Sequence, residues 1–155
     1  MTNAKFIILQ GIQGSGKTTF AKQWASEDPE HRVRFNNDDI RNMLGNYWVP
    51  AREPVVESMK KAFFEFSMQN GYDIIVDNMN LNKKELTRLE NIVKIHNTAV
   101  ENNWEKGSIY TIEYKFFDTP LEECILRDSK REHPIGEQVI KNTYNKYVDY
   151  YERIF

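Results

Sequence analysis

One eight-residue segment, residues 11–18, constrains the fold of this chain more than any other feature. It reads Gly-Ile-Gln-Gly-Ser-Gly-Lys-Thr and fits G-x-x-x-x-G-K-[ST], the pattern of a phosphate-binding loop. Residues 5–10 before it are rich in β-branched and aromatic side chains, which predicts a buried strand, and a helical sequence follows. A strand before and a helix after are the context that the pattern requires. The segment therefore predicts a nucleotide-binding loop; a Gly-rich turn that matches by chance is the alternative.

The residue types of this loop suit a nucleoside triphosphate. Glycines let backbone N–H groups converge on phosphate oxygens, and the next helix adds the partial positive charge of its N-terminus. We expect Lys17 to reach the β- and γ-phosphates and the Thr18 hydroxyl to ligate Mg²⁺. The residues predicted to bind ATP are Gly11, Gly14, Ser15, Gly16, Lys17, Thr18 and Thr19.

The rest of the chain alternates between short apolar strands and amphipathic helices. Further strands are predicted at residues 31–35, 73–76 and 109–117, with helices between them and a last helix from residue 136. Four strands separated by helices predict a three-layer α/β fold, a parallel sheet with helices on both faces. The 155 residues match one domain, predicted to span residues 1–155.

Composition excludes several classes of function. Lys+Arg 21 against Asp+Glu 23 gives a net charge of -2, so no overall basic field exists to coat nucleic acid or an anionic membrane. A single cysteine, Cys124, excludes an internal disulfide framework. The longest apolar run, residues 6–9, is too short for a membrane span, so we expect a cytoplasmic protein. The aromatic residues are scattered over apolar faces, and no stacking platform for single strands is predicted.

Acidic residues follow two of the predicted strands. Asp38 and Asp39 come after the second strand, where a carboxylate can accept a proton from an incoming hydroxyl, although both residues also suit helix capping. Arg41 shares a helical face with Asp38 and could clamp an anionic substrate group, or be a solvated surface arginine. Asp77 ends the third strand, where it could order Mg²⁺ through water or merely cap the following turn.

Two arginines of the helix predicted after the fourth strand lie four residues apart. Arg127 and Arg131 share a face, and Pro134 ends the segment, a pattern typical of a lid over phosphates. Ordinary salt bridges with Glu123 or Glu132 would explain the same residues.

Together these segments make the chain resemble the kinase domain of bacteriophage-type polynucleotide 5′-kinases, within the wider group of small P-loop kinases. The resemblance runs over nearly the whole chain and rests on GIQGSGKTTFAKQW, FNNDDIR, IIVDNMNLN and FFDTPLEECILRDSKREHPI. It implies a P-loop kinase fold with a helical lid, ATP and Mg²⁺ bound by Lys17 and Thr18, and Asp38 as general base for the 5′-hydroxyl. It further implies that Arg41 grips the phosphate 3′ to the terminal nucleotide, and that Arg127 and Arg131 cover the ATP phosphates.

The sequence departs from the phage pattern after the third strand. The phage acid directly precedes Thr-Asn-Leu-Asn, whereas here Asn78 takes its place and Met79 that of the Thr. Asp77, with Asn80, matches the Asp-x-x-Asn form of the wider group instead. The Asp-x-Asp-Gly motif of the phosphatase domain that phage enzymes often carry does not occur, so we expect kinase activity alone.

The leading hypothesis is therefore an ATP-dependent kinase of 5′-hydroxyl RNA or DNA ends, without a membrane partner. Two alternatives stay open: a small-molecule kinase acting on a nucleoside, sugar or antibiotic, and an ATP-binding module without transfer activity. The residues predicted to carry catalysis are Lys17, Asp38 and Arg131. Asp38 and Arg41 are predicted to bind the acceptor substrate, and Thr18 and Asp77 are predicted to bind the metal ion.

Overall fold

A computed structural model describes residues 2–148 of the chain. Its centre is a parallel four-stranded sheet in the order β2-β3-β1-β4. The strands are β1 Asn3–Gln10, β2 Arg32–Phe35, β3 Asp73–Val76 and β4 Ile109–Phe116. The predicted strand positions and the predicted fold class are confirmed. Because all strands run in one direction, the loops after β1, β2 and β3 meet at a single edge of the sheet.

Helices cover both faces of the sheet. They are α1 Lys17–Glu27, α2 Asn37–Met43, α3 Glu53–Gln69, α4 Lys83–Glu101, α5 Leu121–Ser129 and α6 Glu137–Thr143. A 3₁₀ turn, Pro50–Arg52, precedes α3, and a π-helical turn, Tyr144–Val148, follows α6. The predicted last helix therefore changes its winding at Tyr144. Its apolar spacing also predicts a role for Tyr151 on the buried face, and that residue lies outside the described residues.

The alternation of side chains along β1 builds two separate cores. Phe6 and Ile8 face α3 and α4, whereas Ile7 and Leu9 face α1. A third cluster joins Ile12 of the loop after β1 to α5 and α6. Apolar burial on both faces explains why the strand is almost continuously hydrophobic, and it fixes the start of the loop at the sheet edge.

The buried face of α3 differs from the sequence expectation. Apolar residues at helical spacing predict one buried face that includes Val55 and Phe66, but these two residues are 45% and 64% exposed. The stripe that faces the sheet contains Val56, Lys60, Phe64, Ser67 and Met68. Apolar residues occur all round this helix, so hydrophobic periodicity alone could not show which face is buried. Lys60 can lie in the buried stripe because its charge is paired with Glu85 of α4, 3.6 Å from Nζ.

The structure selects one of the predicted capping residues of α2, residues 36–39, and corrects the predicted cap of α5. The cap of α2 is Asn36, whose Oδ1 accepts from the N–H of Asp39 at 2.9 Å, so Asp38 and Asp39 lie inside the first turn. Residues 119–122, Thr-Pro-Leu-Glu, have the pattern of a capping box and predict a side-chain cap for α5, but no side chain caps this helix. The Thr119 hydroxyl instead donates to the carbonyl of Ser15 at 2.8 Å and so contacts the phosphate-binding loop.

Among residues 2–148, no helix is long and apolar enough to cross a membrane.

Candidate active site

The loop between β1 and α1 forms a cradle of backbone amides. Gly14 and Gly16 have φ of 79° and 103°, the left-handed region that residues with a Cβ avoid. A Cβ on Gly14 would also lie 2.6 Å from the carbonyl oxygen of Cys124, so α5 packs directly on the loop. Backbone geometry and close packing therefore both demand the glycines of the motif.

The N-terminus of α1 is left open for an anion. Its N-cap is Gly16, no side chain caps it, and no acidic residue lies in its first turn. By contrast, Asn36 caps α2 and Asn82 caps α4 through side-chain oxygens. The first amides of a helix need acceptors, and phosphate oxygens satisfy them. Thr18 and Thr19 lie exposed in this first turn, as their predicted roles in binding ATP require.

Lys17 is buried in the loop with its ammonium group turned inward. Its Nζ donates to the carbonyl of Ile12 at 2.8 Å and lies 3.3 Å from the hydroxyl of Ser15. Burial lowers its pKa from 10.5 to about 8, although the negative charge of Asp77 opposes this shift; the positive charge of Arg131 adds a smaller lowering effect. Lys17, Asp77 and Arg131 therefore lie close enough to influence one another electrostatically.

The lowered pKa of Lys17 predicts proton uptake on nucleotide binding. Above about pH 8 part of the free protein carries a neutral Lys17, and a bound phosphate restores the charged form. We expect ATP affinity to fall as pH rises through 8, and calorimetry at pH 8.5 in two buffers of different protonation enthalpy to show proton uptake. Lys17→Met should abolish that uptake; the same proton balance in both proteins would contradict the assignment.

Asp77 directly follows β3 in a buried position and is held by an arginine that sequence reasoning missed. Nε and Nη2 of Arg34 lie 2.8 and 2.7 Å from Oδ2 of Asp77, which is 1% exposed. Nη1 of the same guanidinium pairs with Asp39. Both contacts to Asp77 use Oδ2, and the negative charge of this carboxylate also acts on Lys17 of the loop.

Asparagines tie the carboxyl ends of the central strands together. The Asn36 side chain donates to the carbonyl of Asp77, and Oδ1 of Asn78 accepts from the N–H of Asn37 at 3.0 Å. Asn80 is buried with φ of 50°, and its Nδ2 donates to the carbonyl of Leu9 on β1. The Asp-x-x-Asn segment therefore joins β3 to the loop edge of β1, while Asn78 supports the start of α2.

Asp38 and Asp39 point in different directions. Asp39 pairs with Arg34, whereas Oδ1 of Asp38 lies 2.8 Å from Nη1 of Arg41 in the same helix. Arg41 is also held from α3, because its Nε and Nη2 both lie 2.9 Å from Oε1 of Glu53. The structure thus brings Asp38 and Arg41 together as their spacing predicted, and it adds Glu53, twelve residues away, as a support for Arg41.

Two large aromatic side chains lie beside this pair, in the segment between α2 and the 3₁₀ turn. Tyr47 and Trp48 are 56% and 58% exposed, and the guanidinium carbon of Arg41 lies 5.5 Å from the Trp48 ring centre. The pKa of Tyr47 is raised, first by loss of solvation and then by the negative charge of Asp38. Two exposed aromatic side chains therefore lie beside the Asp38–Arg41 pair, at positions that the sequence did not single out. No periodic pattern marks them, since they lie in a loop.

The two arginines of the predicted lid lie differently from each other. Arg127 belongs to α5, and its Nη1 lies 3.3 Å from the carbonyl of Gly14 while its Nε pairs with Glu123. Arg131 lies beyond the end of α5, and its Nη1 is 3.8 Å from Asp128. The expected salt bridge with Glu123 is therefore present, Arg131 pairs with Asp128 instead of Glu132, and the role of the two arginines as a lid over phosphates stays a prediction.

Asp128 shapes the segment after α5 and was not singled out from the sequence. It is 2% exposed, and its two carboxylate oxygens accept from the N–H groups of Ile135 and Gly136 at 3.0 and 2.9 Å. The chain from α5 to α6 is therefore folded back around a buried carboxylate, and Arg131 lies in this segment with its Nη1 3.8 Å from Asp128.

Oxygen ligands suitable for Mg²⁺ are present at this edge. The Thr18 hydroxyl lies in the exposed first turn of α1, and Asp77 offers a carboxylate oxygen nearby. Among residues 2–148, no group of three or more His, Cys, Asp or Glu side chains could hold a metal ion alone. That arrangement fits Mg²⁺, which is held by few protein ligands together with phosphates and water.

Comparisons with known proteins agree with this geometry. A model of the AAA domain family matches residues 6–154. The L-seryl-tRNA(Sec) kinase of Methanococcus maripaludis is 27% identical over 144 residues, which cover 91% of this chain and 51% of that protein. A protein of Autographa californica nuclear polyhedrosis virus, described as a candidate bifunctional polynucleotide kinase/RNA ligase, is 24% identical over 164 residues, 95% of this chain and 21% of that protein. The chain thus spans about half the length of the first relative and about a fifth of the second.

Solved structures share the fold. A chain of the Pnkp1/Rnl/Hen1 RNA repair complex matches with a TM-score of 0.73 and 26% identity, covering 100% of this chain and 47% of that chain. A gluconokinase from Sinorhizobium meliloti 1021 matches with a TM-score of 0.53 and 12% identity, covering 95% of this chain and 77% of that chain. The second match concerns the fold alone.

Proposed function

This chain belongs to the AAA domain family and has the P-loop kinase fold, and we propose that it transfers the γ-phosphate of ATP to the 5′-hydroxyl end of RNA or DNA. The observation that carries the proposal is the pairing of Asp38 with Arg41 at 2.8 Å, at the same sheet edge as the phosphate-binding loop. A proton acceptor and an anion-binding group side by side suit a hydroxyl substrate that also carries a phosphate. We also infer that residues 1–155 act as one kinase domain.

Each residue has a role in this reaction. The loop amides and Lys17 bind the ATP phosphates, and Lys17 leaves its contacts with Ile12 and Ser15 to do so. Asp38 accepts the proton of the 5′-hydroxyl as that oxygen attacks the γ-phosphorus and the bond to the β-phosphate oxygen breaks. Arg127 and Arg131 stabilise the negative charge that develops on the transferred group.

Mg²⁺ fits the oxygen atoms of Thr18 and Asp77, and when bound it supplies positive charge that neutralises the β- and γ-phosphates. The chain's own contribution is to hold Asp77 in place. Arg34 holds that carboxylate through two contacts to Oδ2, so neither contact uses Oδ1. We therefore assign Asp77, rather than Asn78, to the metal side of the site, since Asn78 is engaged by the N–H of Asn37.

Arg41 is suited to a phosphate even with two acidic neighbours. A guanidinium has five N–H groups, of which Glu53 and Asp38 occupy three. One N–H remains on each terminal nitrogen, and this fork matches two phosphate oxygens. The names of relatives support a nucleic-acid acceptor, since one structural match comes from an RNA repair complex and the viral relative is described as a polynucleotide kinase.

A second candidate acceptor is the hydroxyl of an amino acid esterified to tRNA, because an L-seryl-tRNA(Sec) kinase is 27% identical over 91% of this chain. That substrate also presents a hydroxyl near phosphates, so Asp38 and Arg41 would serve it as well. Small-molecule acceptors remain an alternative, since the gluconokinase shares the fold.

Incubation with γ-labelled ATP and a panel of acceptors tests the proposal. The panel contains 5′-hydroxyl RNA and DNA oligonucleotides, seryl-tRNA, 3′-mononucleotides, nucleosides and sugars. We expect label on 5′-hydroxyl ends, and a kcat/KM about 10- to 100-fold higher for a 3′-mononucleotide than for its nucleoside, because Arg41 adds a charge-assisted contact. Arg41→Ala should erase this preference, whereas Arg88→Ala, which removes an exposed arginine of α4, should keep it.

Other outcomes would point elsewhere. Label on seryl-tRNA alone would favour the second candidate, and equal turnover of nucleoside and 3′-mononucleotide would favour a small-molecule kinase. ATP binding without transfer to any acceptor would favour a binding module.

A further inference from the structure

We propose that Trp48 and Tyr47 form the surface on which the base of the reacting terminal nucleotide stacks, so that the acceptor must carry a nucleobase. This inference rests on the proposed function, and it names residues outside the phosphate and hydroxyl contacts already assigned. It predicts selection for an aromatic base at the end and not for its sequence, since every base has a face that can stack.

The first support is the exposure of these side chains at the acceptor side of the site. More than half of each side chain is open to solvent, although large aromatic residues are usually more buried. The segment that carries them is fixed at both ends, because the N–H of Arg52 donates to the carbonyl of Val49 at 2.8 Å and the Arg52 side chain donates to that of Leu44. The aromatic rings of Tyr47 and Trp48 therefore belong to a segment whose two ends are held by hydrogen bonds.

The second support is the position of Trp48 relative to Arg41. The Arg41 guanidinium lies over the Trp48 ring, 5.5 Å from its centre, and Glu53 holds its inner edge. Because Glu53 holds Arg41 in place, the Trp48 indole lies beside the two N–H groups of Arg41 that are proposed to bind the substrate phosphate. Tyr47 lines the same small cavity as Arg41 and Glu53, and the negative charge of Asp38 contributes to its raised pKa.

The geometry of a nucleotide links these positions. The 5′-oxygen, the base and the 3′-phosphate are all attached to the same sugar. If Asp38 takes the 5′-hydroxyl and Arg41 the 3′-phosphate, the sugar lies across a pair of side chains that are 2.8 Å apart. The base, which is attached to the same sugar, must then lie close to this pair. Tyr47 and Trp48 are the exposed aromatic residues of the segment beside the pair.

A pair of acceptors that differ only in the terminal base tests the inference. One is a 5′-hydroxyl oligonucleotide, and the other is the same oligonucleotide with an abasic 5′-terminal nucleotide that keeps its sugar and phosphates. Stacking on an aromatic side chain predicts a kcat/KM about 5- to 150-fold higher for the end that carries a base, mainly through KM. Trp48→Ala should bring this ratio close to one, and Trp48→Phe should retain most of it.

Trp104→Ala is the matched control. Trp104 is 76% exposed but precedes β4, at the opposite edge of the sheet from the loop, so its removal should leave the ratio unchanged. Melting temperatures of the variants show whether each is folded. The abasic acceptor also detects a displaced Arg41, since it still carries the 3′-phosphate.

The outcomes separate this inference from the function on which it rests. Wild-type turnover that is equal for both acceptors, or an equal loss on both in Trp48→Ala, overturns the stacking role and leaves the kinase intact. Absence of transfer to either oligonucleotide by the wild type overturns the proposed function and the inference together.

Discussion

Asp38→Asn is expected to lower the rate of phosphoryl transfer by about 10²- to 10⁴-fold, the range typical of general acid–base catalysis, and to leave ATP binding unchanged. The amide retains an oxygen that can accept from Nη1 of Arg41, so the position of the arginine should be kept. What is lost is the group that takes the proton from the 5′-hydroxyl. Because the Asp38 side chain is about half exposed, at 48%, the change should have little effect on stability.

Asp39→Asn is the matched control for this prediction. It is the same change at the adjacent residue of the same helical turn, but its carboxylate is turned toward Arg34, which Asp77 also holds. We expect a much smaller loss of transfer. Single-turnover measurements with saturating ATP would separate the chemical step from binding. An equal loss in both variants would show that the acidic pair acts through the structure of α2 and not through proton transfer.

Much of the fold could be predicted because its signals are local. The apolar residues of β1 and β3, the glycines between β1 and α1, and Pro54 at the start of α3 each specify their own segment. The sheet edge at which Asp38 and Asp77 meet follows from the parallel topology alone. Arg41 was placed beside Asp38 because a spacing of three residues needs no tertiary information.

The partners that come from other elements could not be predicted in this way. Arg34 lies in β2, yet its guanidinium reaches Asp77 of the next strand, 43 residues away. Glu53 reaches Arg41 only because α3 packs beside α2. Each of these residues resembles an ordinary charged surface residue in the sequence, and only the packing of elements shows which partner it meets.

The same limit explains the errors about aromatic residues. Phe66 was expected in the core and is exposed, whereas Trp48 was given no role and lies beside Arg41. Hydrophobic periodicity gives a helix several apolar faces when aromatic residues are adjacent, as at Phe63 and Phe64. It says nothing about a loop, which is where the exposed pair lies.

Lys17→Met should have opposite effects on catalysis and on stability. The variant keeps an unbranched side chain that is one atom shorter, and it removes the cation predicted to contact the β- and γ-phosphates. Loss of a comparable electrostatic contact lowers kcat by about 10²- to 10³-fold, so we expect at least that loss here, together with weaker ATP binding. Lys22→Ala, which removes an exposed lysine of the same helix, should change neither quantity.

The stability of Lys17→Met follows from the pKa of the residue it replaces. The folded state lowers the pKa of Lys17 from 10.5 to about 8, so it disfavours the charged form relative to the unfolded chain. At about 1.4 kcal/mol for each pKa unit, this burial costs about 3 kcal/mol. The cost is fully present below pH 8 and disappears as pH rises from 8 to 10.5, because the lysine is then neutral in both states. Replacing the ammonium by an apolar group should therefore maintain or raise the free energy of unfolding at pH 7.

Chemical denaturation of both proteins at pH 7 and pH 10, together with transfer assays at pH 7, checks this prediction. We expect an inactive variant at least as stable as the wild type at pH 7, with its relative advantage reduced at pH 10. A variant that is inactive and also unstable at pH 7 would mean that Lys17 mainly supports the loop through its contacts with Ile12 and Ser15. Activity near that of the wild type would remove Lys17 from the phosphate site. A lysine that destabilises the folded state while it serves the reaction is the pattern expected of a residue kept for binding charge in a buried site.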